Sequence, residues 1–352
     1  MSNTEVRQTV GSVLACATEL EAAARQRELT KPCGSLGRLE SLAVWMAARQ
    51  GRAIPNMPLA AAIVYAADHG VAARLVSAYP ACVTAQMVSA MAAGHAAVSV
   101  FARLLGVPLR VVDVGVAADL ESAATIVHAK VRLGTADLSS GMAMTLEEAG
   151  RALDVGRTEA ACAIQGGAGL LVAGEVGIGN TTASAALIGA LLNADPGQVV
   201  GRGSGINDDA LAGKVRVVAA ALRRVRQSAI TDPVALLANV GGLEIAAMAG
   251  TYLESARRGV PVILDGYISA AAALVAVSIE PSCRHWMLAG HVSAEPGHRL
   301  ALDHLKLEPI LDLGMRLGEG TGALLALPIV RAALAMHAEM RTFEETKVSR
   351  RL

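Results

Sequence analysis

The chain is nearly without aromatic residues: Phe, Trp and Tyr make up 2% of its 352 residues, against 53% hydrophobic residues overall. Rings therefore cannot fill its interior, and a core must be assembled from Ala, Val, Leu, Ile and Met. At this length burial is not limiting, and one large α/β domain or two smaller ones fit. Charge of one sign is not in excess either. Lys plus Arg (31) balances Asp plus Glu (31), so no long-range field steers the protein to nucleic acid or an anionic membrane, and a small-molecule partner fits better. The five cysteines, Cys16, Cys33, Cys82, Cys162 and Cys283, form no CxxC pair and no metal spacing with histidine; buried reduced thiols are expected. The opening "MSNTEVRQTVGSVLACATELEAAARQRELT" lacks the basic start and continuous apolar core of a signal peptide. No stretch approaches the roughly 20 uninterrupted apolar residues of a membrane helix. The expectation is a soluble cytoplasmic protein.

Glycine, at 35 residues, is abundant and falls at the ends of apolar runs. Residues 5–28 carry apolar side chains at helical spacing (Val6, Val10, Val13, Leu14, Leu20), and "LGRLESLAVWMAAR" resumes that period after a turn at Pro32 and Gly34. From residue 60 short continuous apolar runs alternate with helical segments. "AAIVYAADHG", "LRVVDVG", "AGLLVAGEVG", "VPVILDGY" and "HWMLAGH" read as strands buried on both faces of a parallel sheet. Helix and strand in alternation imply a doubly wound, mostly parallel α/β sheet over 59–327. The terminal segments 1–58 and 328–352 are expected to form a small helical lobe. Ligands in such folds bind beyond the carboxyl ends of the strands, where "ADHGV", "GEVGIGNTT", "DGYIS" and "GHVSAEPGH" would lie.

Two stretches share an unusual arrangement. Glu175 follows Gly174 in "LVAGEVGIGNTTASAAL", read as a glycine-rich turn before a helix, and Glu319 stands between two glycines in "LDLGMRLGEGTGALLALPIV". In the first, Gly177 and Gly179 permit unusual backbone angles, Asn180 or Thr181 can cap, and the helix N-terminus that follows suits a phosphate. A second glycine turn, "VGRGSGINDDALAGKV", adds Arg202, Ser204 and Lys214. Neither is a Walker A loop or a dinucleotide fingerprint; a mononucleotide phosphate and a purely structural turn both remain open. A glutamate is repelled by phosphate, so Glu175 and Glu319 suit proton transfer or a developing positive charge, or else serve as acids at a helix start. His291 and His298 with Glu295 match no zinc spacing, and Asp68 and His69 define no triad; these histidines are expected to hold loops, and no metal or cofactor is assigned.

"KPCGSLGRLE", "AADHGV", "VSAYPACVTAQMV", "GEVGIGNTTASAAL", "GRGSGI", "GGLEIAAMAG", "LDGYISAAAAL", "HVSAEPGH" and "LDLGMRLGEGTGALLALPIV" together resemble the nicotinate-nucleotide:dimethylbenzimidazole phosphoribosyltransferase family, in its order and from about residue 31 to 330. The resemblance implies a homodimeric, Rossmann-like enzyme of cobamide synthesis. It would move the 5-phosphoribosyl group of nicotinate mononucleotide to a lower-ligand base such as 5,6-dimethylbenzimidazole, giving nicotinate and α-ribazole 5′-phosphate. It implies Glu319 as the catalytic base, with Glu175 stabilising charge or holding the ribose. Phosphate would be held by Gly177, Gly179, Asn180, Thr181 and Thr182, with Arg202, Gly203, Ser204, Gly205 and Lys214. Ser77, Tyr79 and Gln86, with Met315 and Leu317 on a strand leading to Glu319, would take the base. Departures are Ser204, where the family usually has Thr, and "GMAMT" around Met142. Competing readings are the same donor with a phenol, another benzimidazole or a purine as acceptor, and a non-catalytic nucleotide-binding protein.

Overall fold

A computed structural model describes residues 17–120 and 126–350. The expected helix over 5–28 is observed from residue 17 to 28; its first part lies outside the described residues. The chain divides into two compact units, Met1–Pro58 with Leu327–Leu352, and Leu59–Ala326.

The larger unit is built on a parallel sheet of seven strands, in the order β3-β2-β1-β4-β5-β6-β7. These are β1 (Ala60–Ala67), β2 (Leu109–Gly115), β3 (Ile126–His128), β4 (Leu170–Val176), β5 (Val262–Leu264), β6 (Met287–His291) and β7 (Pro309–Leu311). The five expected strands are present, and the α/β class holds. The two edge strands, β3 and β7, carry no sequence signal because each is short and only partly buried, whereas the equally short β5 is buried throughout. β1 and β4 are adjacent, with Tyr65 paired to Glu175, while β2 and β3 extend one way and β5 to β7 the other. The carboxyl ends of β1 and β4 therefore bound the point where the winding reverses, which is where open α/β sheets bind ligands.

Close backbone packing replaces rings in the core. The helices Leu146–Gln165 and Leu243–Arg258 meet at Gly156 and Gly250, where a Cβ would come 1.7 Å from the Ala247 carbonyl oxygen and 2.0 Å from that of Leu153. The first of these helices opens with a capping box between Thr145 and Glu148, which satisfies two otherwise orphaned amides. The buried tyrosines each find a partner for the hydroxyl: Tyr65 with Thr251 (2.7 Å), Tyr252 with Ser269 (2.7 Å) and Tyr267 with the Val199 carbonyl (2.6 Å). The cysteines depart from expectation. Cys33, Cys82 and Cys162 are exposed and free, Cys283 alone of the described four is buried, and Cys16 lies outside the described residues. Cys162 is exposed because it falls on the outer side of its helix.

In the smaller unit the Arg25 guanidinium donates to the carbonyls of His337 and Ala338 at 2.9 and 3.1 Å, and Leu29 bridges Thr342. Lys31 pairs with Glu40 at 2.7 Å. By length and composition, Thr321–Glu339 is apolar enough to cross a membrane. Its Ala323, Leu324, Ala326, Leu327, Val330 and Leu334 are nonetheless buried, and a buried core helix gives the same pattern. The other apolar stretch, Val83–Leu105, is two short helices separated around Gly94.

Candidate active site

Strand ends supply the acids and histidines of the site: His69 just past β1, Glu175 in β4, Asp265 just past β5 and His291 closing β6. Glu175 thus belongs to a strand rather than to the glycine turn read from the sequence, because the ladder with β1 continues through Tyr65 and Ala66. Its carboxylate is buried, accepts from the Asn180 amide group and from the Glu319 backbone N–H. Burial, then the neighbouring Asp265, Glu244 and Glu319 carboxylates, push its pKa well above the usual range.

The two glycine–glutamate stretches interlock. A Cβ at Gly174 would lie 2.2 Å from the Glu319 carbonyl oxygen, and one at Gly318 would lie 2.3 Å from Glu175 Oε1. Glu319 itself sits at φ 65°, a left-handed conformation that costs a non-glycine residue about 1 kcal/mol or more. The residue is 4% exposed. The Val98 amide, at the start of the helix Ala97–Leu105, donates to it, and among the described residues Oε2 has no hydrogen-bond partner. Burial raises this carboxyl to about 7, with Asp265 adding to the rise and the Val98 amide opposing it. A glutamate with the reference pKa of about 4.3 would be fully ionised at neutral pH; this one titrates near neutrality, where a general base works best.

Asp265 holds this arrangement. Its Oδ1 accepts from the amides of Gly322 (2.7 Å) and Ala323 (3.0 Å), and its Oδ2 from Gly320 (3.2 Å). It so caps the helix that begins at Thr321 and fixes the turn carrying Glu319. Its pKa is raised by burial, with His291 and the three amides pulling it back. His291 Nε2 stands 3.6 Å from Asp265 Oδ1. His298 Nδ1 accepts from the Ser293 amide at 2.7 Å, and burial lowers it to about 3. Below the first glycine loop, His69 Nε2 meets Glu244 Oε1 at 2.7 Å, both fully buried. Burial opposes charge on this imidazole, but Glu244 and Asp68 outweigh it and raise its pKa.

The first glycine loop runs into the helix Asn180–Leu191, with Gly179 at φ 100°. Several of its amides are already committed: Ile178 to Thr84 Oγ1 (3.1 Å), Asn180 to the Gly177 carbonyl (3.2 Å) and Thr182 to that of Gly179 (2.9 Å). Thr182 is fully buried. Thr181 lines the cleft here, and the buried Lys214 stands behind it, donating Nζ to Thr181 Oγ1 at 2.7 Å. Burial lowers Lys214 to about 8 against the pull of Glu295. The second turn covers them: a Cβ at Gly203 would lie 2.8 Å from Thr181 Oγ1 and 3.2 Å from Lys214 Nζ. Gly203 donates its N–H to Glu295 Oε1 (2.8 Å) and accepts from Arg316 Nη1 (2.7 Å), while Gly205 turns at φ 99°. Arg202 points elsewhere, to the Ile206 carbonyl and to Asp208, and the cleft's arginine is Arg316.

Glu175, Thr181, Gly203, Asp265, Tyr267, His291, Glu295, Arg316 and Gly318 are among the residues lining a narrow cleft. Of the expected acceptor residues, Ser77 bonds Ser204 (3.0 Å) beside this cleft. Tyr79, Gln86 and Leu317 are exposed. Met315 and Leu317 lie on an irregular segment, not a strand: β7 ends at Leu311, and the Ala294 amide bonds the Met315 carbonyl (3.1 Å) without extending the ladder. Asp265 and Arg316 were not legible as site residues. The signal for Asp265 was an acid and a glycine ending an apolar run; Arg316, three residues before Glu319, carried none.

The chain is similar to known proteins along most of its length. A family model described as phosphoribosyltransferase matches residues 14–348. A nicotinate-nucleotide–dimethylbenzimidazole phosphoribosyltransferase of Chromobacterium violaceum is 55% identical over 328 residues, 93% of this chain and 95% of that protein. The enzyme of that name from Mycolicibacterium paratuberculosis is 51% identical over 94% of this chain and 95% of its own. The crystal structure of CobT from Thermus thermophilus superposes with a TM-score of 0.92 at 48% identity, covering 95% of this chain and all of that one. The chain belongs to the nicotinate-nucleotide–dimethylbenzimidazole phosphoribosyltransferase family.

Proposed function

We propose that the protein transfers the 5-phosphoribosyl group of nicotinate mononucleotide to 5,6-dimethylbenzimidazole, releasing nicotinate and forming α-ribazole 5′-phosphate for a cobamide lower ligand. The observation that carries the assignment of roles is Glu319: a buried carboxyl raised to about 7, with one oxygen unpartnered among the described residues.

The unprotonated nitrogen of the benzimidazole attacks C1′ of the ribose. The C1′–N bond to nicotinate breaks, and its electron pair stays on the pyridine nitrogen, which leaves neutral and needs no acid. As the benzimidazole becomes cationic, the N–H on its other nitrogen becomes strongly acidic, and Glu319 accepts that proton. Glu175, whose pKa burial and then the neighbouring acids push up, suits a hydrogen bond to the ribose better than an anionic role at C1′. Phosphate is received by Thr181 and Lys214 under the Gly203 turn, with Arg316 nearby.

The reaction is tested by following nicotinate release from nicotinate mononucleotide chromatographically, with and without 5,6-dimethylbenzimidazole. Release that requires the base is expected. Calorimetric binding with no turnover on any benzimidazole would overturn catalysis and leave a nucleotide-binding protein.

We further propose a cytoplasmic homodimer. Exposed apolar side chains such as Leu75, Tyr79 and Leu104 support burial of surface against a second copy. Light scattering on the eluting protein should give twice the 36.0 kDa chain mass.

A further inference from the structure

The glycine turn around Ser204 touches both halves of the site. On one side its backbone lies against the donor groups: Lys214 Nζ donates to the Gly201 carbonyl at 3.2 Å as well as to Thr181 Oγ1. On the other side the Ser204 hydroxyl does not face the cleft as a phosphate ligand. Its oxygen accepts from the Ala78 amide at 2.9 Å and lies 3.0 Å from Ser77 Oγ, which in turn accepts from the Tyr79 amide at 3.1 Å. The acceptor loop Ser77–Tyr79 is thus strung onto the donor-side turn through a single side chain. No other hydrogen bond ties these three residues to that turn among the described residues.

We infer that Ser204 couples the two substrates: a phosphate on Lys214 and Thr181 sets the 201–205 turn, and the Ser204 hydroxyl passes that setting to the acceptor loop, so that donor and base bind with positive cooperativity. The inference rests on the proposed reaction. Its physical basis is a differential contact. Lys214 gives two of its three protons to Thr181 and the Gly201 carbonyl; a phosphate that takes the third draws the ammonium towards itself and lengthens the bond to Gly201 at 3.2 Å, and the turn answers. A ligand shifts a conformational equilibrium only through such a difference in contacts between the states. The coupling is reciprocal, the base tightening the donor by the same factor.

Ribose 5-phosphate carries the phosphate and sugar but no leaving group, so it tests coupling without turnover. Calorimetry on the full chain measures 5,6-dimethylbenzimidazole affinity with and without saturating ribose 5-phosphate, for wild type, Ser204→Ala and Ser204→Thr. In the wild type ribose 5-phosphate should tighten base binding by about fivefold or more. In Ser204→Ala the ratio should fall to one within about twofold, although each ligand still binds alone, and Ser204→Thr, which keeps the hydroxyl, should restore it. A wild-type ratio of one, or an unchanged ratio in Ser204→Ala, overturns the coupling while leaving the reaction intact. A wild type that binds neither ligand overturns the functional reading beneath it. A merely structural role for Ser204 would weaken both single affinities and leave the ratio where it was.

Discussion

Gly174 and Glu319 meet backbone to backbone: a Cβ on the first would lie 2.2 Å from the carbonyl oxygen of the second. The contact explains why two glycine–glutamate pairs occur in one chain. Glycine at 174 lets the turn that carries Glu319 lie directly over β4, and glycine at 318 leaves room for the Glu175 carboxylate. Each glycine is the space that the other pair's glutamate occupies.

Gly174→Ala should therefore displace the Glu319 turn rather than a side chain. Backbone cannot be repacked locally, and overpacking of this kind costs about 2–3 kcal/mol. Chemical denaturation should show that loss, and activity should fall even in the fraction that remains folded. A variant with unaltered midpoint and turnover would mean that the two segments are farther apart than the structure places them.

Glu319→Gln removes the proposed proton acceptor while keeping the shape. Loss of a general base should lower kcat by about 10²- to 10⁴-fold. The wild-type rate should rise with pH up to about 7 and level off above it, since the carboxyl must be deprotonated to act and titrates there. The residual rate of the variant should be flat across that range, which initial rates from pH 5.5 to 8 would establish.

Lys214 sets the opposite limb. With a pKa lowered to about 8, it loses its charge as pH rises past that value, and the KM for nicotinate mononucleotide should climb there while the KM for the base does not. Lys214→Met should have the weak donor binding at every pH. A donor KM independent of pH from 7 to 9 would place the phosphate elsewhere.

Asp265→Ala should act on Glu319 in two ways. Losing the cap of the helix beginning at Thr321 costs about 1 kcal/mol of stability. Losing a nearby negative charge lowers the pKa of Glu319, because Asp265 raises it. The rising limb of the kcat profile should move to lower pH as kcat itself falls. A limb that stays at about 7 would show that the two carboxyls do not sense each other.

The central strands were legible because a run buried on both faces of a parallel sheet leaves a continuous apolar signature, as in "AAIVYAA" and "LLVAGEV". The edges were not, since a strand such as Pro309–Leu311, only partly buried, needs no continuous apolar run. Glu319 and Lys214 stood out against glycine. Arg202 misled for the same reason: its side chain follows the turn outward to Asp208, and the residue at the cleft is Arg316, which lies 113 positions from the Gly203 carbonyl it holds. Long-range pairings of that kind leave no local trace. Nor does burial, which turned an ordinary glutamate into one that titrates at about 7.

The packing of Gly156 against Ala247 and of Gly250 against Leu153 bears on thermal behaviour. Glycine and alanine have no rotamers to freeze, so their burial costs no side-chain entropy on folding. The same holds for Ala270, Ala271, Ala272 and Ala273 in the helix Tyr267–Ile279. Warming the folded protein therefore has few rotamer states to release in the layer that supports the strand ends.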